Sequence, residues 1–218
     1  MSLTEAEFVF GSVHETGLND LLNAFFTTQP RYLNHGSSPL LFPPGTPFIS
    51  IPPISFPGIP AGINFGVSFE IPAVDITPDT SGGPLPPGPG QFTVSTTVTL
   101  VIGCIRRFRD PAEEEQQGSF IPLRARLGVF ARGRLIVTGL GTGAGAVSFQ
   151  VDDVELVDVQ PDPLESVLEC LIRMMLQAVL SNVQIPIESL LIGAIPFLLA
   201  LIRGPLAEAD QAKIYVNV

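Results

Sequence analysis

Residues 162–181, DPLESVLECLIRMMLQAVLS, form the one long stretch that reads without conflict as a helix. Asp162 is placed to cap it, and Pro163 suits its first turn. Glu165 stands three residues beyond the cap, where it can reach back to a free amide. Leu164, Val167, Leu168, Leu171, Ile172, Met175, Leu176, Val179 and Leu180 cover most of the circumference. Glu165, Glu169, Arg173, Gln177 and Ser181 recur every fourth position in a narrow polar stripe, along which Glu169 and Arg173 are spaced to pair. A helix apolar on so many sides is expected to be wrapped, not laid on a surface. Most of the chain before it alternates like strands, so the expected wrapper is a curved sheet.

At 218 residues the chain is long enough for a sizeable core, and the reading is a single domain over residues 1–218. Hydrophobic residues make up 45% and charged residues 15%, which points to a large buried apolar volume or an apolar ligand surface. The 22 Pro and 21 Gly imply many turns and long loops. Fifteen Phe against two Tyr and no Trp favour core filling over interface anchoring. A net charge of −10 argues against a nucleic-acid partner and against docking on anionic membranes. Two cysteines, Cys104 and Cys170, are too few for a disulfide framework. Two reduced core thiols is the preferred reading, and a single sheet-to-helix bridge the other.

The N-terminus is acidic and has no apolar leader core. The expected compartment is therefore cytoplasmic as the sequence stands, or secreted or periplasmic if a leader has been removed. The longest uncharged run, Leu190 to Ile202, has 13 residues and contains Pro196, short of the roughly 20 that a spanning helix needs.

In chain order, Glu7 to Val13 reads as a strand, and an amphipathic helix follows with Thr16 as its cap. Leu18, Leu21, Leu22, Phe25 and Phe26 line one face of it, and Pro30 ends it near Thr28. Ser38 to Gly62 carries eight prolines interleaved with Leu, Ile and Phe. Such a segment is too apolar for disorder, so it is expected to be an ordered arm packed on the domain. Strands are expected at Asn64–Ile76, with Pro72 at an edge or bulge, and at Gln91–Arg107, Phe120–Gly139 and Ala144–Val159, the last with a bulge at Asp152-Asp153. Arg124, Arg126, Arg132 and Arg134 share one strand face. They read as a solvated face, or as a site for an anionic head group or partner. Val183 to Ile187 suits a short strand, Leu190 to Ile202 a broken helix ended by Gly204-Pro205, and Ala209 to Val218 a last strand.

Chemistry-bearing motifs fail on inspection. GLGTGAGA, Gly139 to Ala146, has glycine spacing like a dinucleotide site, but a strand pattern follows where a helix is needed. His14 and His35, the latter read as a loop residue, give no metal-ligand spacing with two lone cysteines. No nucleophile elbow is present. Neither enzyme activity, nor a cofactor, nor a metal is expected.

The order of elements resembles one half of the bactericidal/permeability-increasing protein family, within the tubular lipid-binding (TULIP) superfamily that includes P47-like proteins. The residues that carry the resemblance are GLNDLLNAFF after the first strand, the helix Pro163–Ser181 after long strands, then VQIPIESL and KIYVNV. The Pro-rich arm at 38–62 and the hydrophobic insert at 190–202 depart from that pattern. The resemblance implies an α+β fold in which the long helix is wrapped by a highly curved antiparallel sheet. It also implies non-enzymatic binding of a lipid or other hydrophobic ligand between helix and sheet. The lining implied is Leu168, Ile172, Met175, Val179, Phe65, Phe69, Val98, Leu100 and Phe149. The alternative is a structural or assembly protein with a self-filled core, joined to a partner or to copies of itself through hydrophobic patches at Phe48–Ile59 or Leu190–Ile202.

Overall fold

A computed structural model describes residues 9–56, 59–76, 84–88, 90–103, 122–138, 145–157, 159, 162–186, 200–208 and 211–217. Among them are two α-helices, α1 (Glu15–Thr28) and α2 (Asp162–Ser181). The large sheet curls strongly into a half-barrel. Its main path is built from β2 (Asn34–Gly36), β3 (Ile49–Ser50), β5 (Ile59–Phe69), β7 (Gln91–Gly103), β8 (Leu123–Thr138), β9 (Ala146–Leu156) and β10 (Ile185–Pro186), in the order β10-β9-β8-β7-β5-β2-β3. β4 (Ile54–Phe56) pairs with β5, and β6 (Ala73–Asp75) with β7. β1 (Val9–His14), β12 (Gln211–Asn217) and β11 (Ala200–Glu208) form a second, three-stranded sheet. Among the described residues all pairings are antiparallel except β2 with β3.

Alternation sets the inner face, because side chains at i and i+2 share a side. Phe65, Val67 and Phe69 of β5, Phe92, Val94, Val98 and Leu100 of β7, and Val147, Phe149 and Val151 of β9 are buried together. Leu18, Leu22 and Phe26 of α1 and six residues of α2 close over the same core. Phe92 and Phe149 meet edge to face, with centroids 5.5 Å apart, the arrangement that aromatic quadrupoles favour.

The expected strand over Asn64–Ile76 is split in two, as Pro72 demands: it cannot donate to a ladder, and β5 ends at Phe69 before β6 begins at Ala73. The bulge expected at Asp152-Asp153 is present. Arg132 faces Asp153 while Gly133 faces Val151, which leaves Asp152 as the extra residue.

Several expectations are corrected. His14, not Thr16, caps α1: its Nδ1 accepts from the Thr16 amide at 3.2 Å. His35 lies in a strand and is buried. Ala200 to Ile202, expected to end a broken helix, opens β11 instead. Gly204-Pro205 is absorbed inside that strand by register shifts between Leu201 and Leu206. The rest of the 190–202 insert, the GLGTGAGA glycines other than Gly145, and Cys104 lie outside the described residues.

The largest correction concerns α2. The helix is not wrapped. Leu168, Ile172, Met175, Leu176, Val179 and Leu180 are buried, but Ser166, Val167, Cys170, Arg173, Met174 and Ala178 face water. Cys170, expected in the core, is a free thiol on that outer side. The helix lies along β9, and its polar stripe serves the strand, not the helix. Glu169 and Arg173 do not pair among the described residues. Glu169 Oε1 accepts from the Leu156 amide at 3.3 Å, and Arg173 donates to the Asp152 carbonyl at 3.4 Å.

Candidate functional site

The nine residues proposed as a ligand lining converge. Leu168, Ile172, Met175 and Val179 of α2, Phe65 and Phe69 of β5, Val98 and Leu100 of β7, and Phe149 of β9 all belong to one continuous buried cluster. Each keeps less than a tenth of its surface accessible, so each packs on the protein's own atoms.

Two helix amides define how this core is held. Gln177 of α2 accepts from the Val151 amide at 2.7 Å and donates to the Phe149 carbonyl at 3.1 Å. Asn19 of α1 accepts from the Val74 amide at 2.8 Å and donates to the Val74 carbonyl at 2.7 Å. In both places a side-chain amide, with one donor and one acceptor side by side, stands where a neighbouring strand would otherwise bond. Glu15 adds the Ile76 amide at 3.0 Å. An open strand edge is a template for unwanted pairing, and here two helices close parts of such edges with side chains. Sequence reading missed both amides, because a polar residue at the margin of an apolar helix face looks like ordinary solvent exposure.

The outer side of α2 is the other notable surface. Val167, Met174 and Ala178, spaced i, i+7 and i+11, form an exposed stripe, and Leu171 beside them is half-buried against the core. Val167 is 65% exposed and Met174 58%. Leu40, Ile54 and Leu123 are exposed singly elsewhere.

Polar clusters are accounted for by structure. Arg126 pairs with Glu70, Arg132 with Asp153 at 3.1 Å, and Arg134 with Asp152 at 3.0 Å, so most of the arginine face on β8 is already neutralised by its neighbours. Glu155 of β9 meets Glu165 and Glu169 of α2, with carboxylate oxygens within 4.8 Å of one another. Partial desolvation, then the charges of Glu169, Glu165 and Asp153, push the Glu155 carboxyl above its ordinary value. Sequence reading missed this trio because its members come from a strand and a helix. Its signal was only the i, i+4 pair Glu165 and Glu169. No helix among the described residues is long and apolar enough to cross a membrane.

No protein-family model matches the chain, and no curated protein matches it. Among solved structures, the crystal structure of a lipopolysaccharide binding protein aligns with 96% of this chain and 49% of its own, at 13% identity and a TM-score of 0.27. The chain thus spans about half the length of that protein, and a likeness at this score carries no argument about ligand or activity.

Proposed function

We propose that this protein acts without catalysis, as an assembly component that binds a second copy of itself along the outer side of α2. One contrast carries the reading: the residues suited to line a ligand groove are packed on protein atoms, while Val167 and Met174 stand open to water. The stripe has the spacing by which two helices interlock, and Ala178 allows close approach. Ser166, Cys170 and Ser181 beside it are uncharged and Arg173 is the one charged residue among the described exposed residues of α2, so two copies can meet there without bringing acidic groups together despite a chain charge of −10.

Light scattering coupled to sizing tests the proposal. The wild type is expected to gain mass with concentration, and the double variant Val167→Glu, Met174→Glu to stay monomeric, with the wild-type thermal midpoint at concentrations where the wild type is itself monomeric. Equal masses for the two proteins at all concentrations would sink it.

A lipid-like ligand between α2 and the sheet is the second reading. It is favoured by the convergence of the nine apolar residues and by the side-chain nature of the bonds from Glu169, Arg173 and Gln177 to β9, which a lifting helix can release. Burial would drive it, at about 0.8 kcal/mol per methylene. An acyl chain recovered in stoichiometric amount by solvent extraction and mass spectrometry would establish this reading in place of the first.

A further inference from the structure

The segment Asn34–Ser50 leaves the sheet edge at β2, folds over β5 and β7 as a strap and returns to the edge at β3. β2 anchors it to β5 through Asn34 opposite Ser68, His35 opposite Val67 and Gly36 opposite Gly66. The Ser37 hydroxyl accepts from the Phe65 amide at 2.9 Å, and the Ser37 amide donates to the Phe65 carbonyl at 2.9 Å. Farther along, Leu41 and Phe42 cover Val101. The Phe42 ring occupies the space left by two glycines: a Cβ on Gly36 or Gly66 would meet it at 2.7 or 3.2 Å.

His35 sits in the middle of the anchor with its side chain turned inward. It is 3% exposed, its ring meets Phe69 edge to face, and its Nδ1 is buried with no hydrogen-bond partner. The elements packed on β2 are β5, β3 and the short turn Pro30–Leu33. Val67 and Ile49 are its apolar partners in register. The ionisable groups at hand on those elements are Arg31 and Tyr32, which hold each other, and Glu70 just past β5, which pairs with Arg126. None of them is placed to balance a charge on the imidazole. Burial alone lowers its proton affinity. A proton placed on the buried Nδ1 finds no acceptor and no counter-ion there, which is costly.

We propose that His35 is an acid-sensitive latch: protonation of its imidazole detaches the strap from β5 and bares both that strand edge and the apolar patch around Val101. The detached imidazole regains an ordinary affinity for protons, near pH 6.5. Acid therefore draws the strap off by mass action, and strap attachment weakens as pH falls below 6.5. Between pH 7.5 and 5.5 the detached population rises on that basis, by up to about tenfold.

Hydrogen exchange on the full chain, corrected for intrinsic rates, reads this directly. Opening at the Ser37, Ile51 and Phe65 amides is expected to rise by up to about tenfold over that interval, with α2 and β8 unchanged. His35→Leu should abolish the rise, and His14→Gln, at the only other histidine, should leave it intact. The same pH response in His35→Leu overturns the latch, as does opening of α2 and β8 in step with the strap. Should His35→Leu not fold, imidazole titration by NMR decides in the wild type: an ordinary midpoint with the strap still protected refutes it.

Discussion

Gly133 is fixed by its neighbours, not by its own backbone angles. At the bulge β8 presses so close to β9 that a methyl group there would lie inside the Gln150 carbonyl oxygen and 2.9 Å from the Phe92 ring. Both obstacles are rigid, so Gly133→Ala is expected to cost about 3 kcal/mol, read by urea denaturation. A carboxylate makes the opposite case. Glu155 binds its proton more tightly in the folded protein than in the unfolded one. The stability tied to that proton is full at low pH and is lost as pH rises through the raised value. Glu155→Gln is therefore expected to stabilise the protein at pH 7 by about 0.3 kcal/mol, the size of a solvated like-charge contact. The gain should vanish near pH 4, where carboxylates take up protons. Thermal midpoints at the two pH values check both halves.

At the scale of elements, α2 does two jobs with two faces set side by side. Its apolar face fills the half-barrel, and its polar stripe completes β9. Gln177→Ala removes a partner from the Val151 amide and another from the Phe149 carbonyl at once. A loss of about 1–3 kcal/mol is expected, with faster exchange of the Val151 amide. Gln177→Glu keeps the acceptor but sets a carboxylate against a carbonyl, and should fall between wild type and Gln177→Ala. The existence, type and limits of α2 were legible, because twenty residues of helical periodicity leave no rival pattern. Its surroundings were not. Val167 and Met174 look like core by composition, and nothing local distinguishes an apolar residue facing a sheet from one facing water. Leu190–Ile202 misled for a related reason: a short apolar run fits a helix or a strand, and the pairing of β11 with β12 decides for its last three residues.

For the molecule as a whole, the α+β architecture followed from strand alternation plus one strong helix. The candidate lining also came together as its alternation required, since Phe65, Phe69, Val98, Leu100 and Phe149 occupy one face of a continuous sheet. Whether that face held space or side chains was beyond periodicity, because volume is settled by packing among residues far apart in the chain. The same limit hid the strap. His35 reads as a loop residue beside Asn34 and Gly36, and only its pairing with Val67 buries it. The helix amides add one thing more. Where backbone bonds to backbone, a border of the fold is common to every sequence that adopts it. Here parts of the border rest on Asn19 and Gln177, so two point changes separate a finished particle from one with vacant seams.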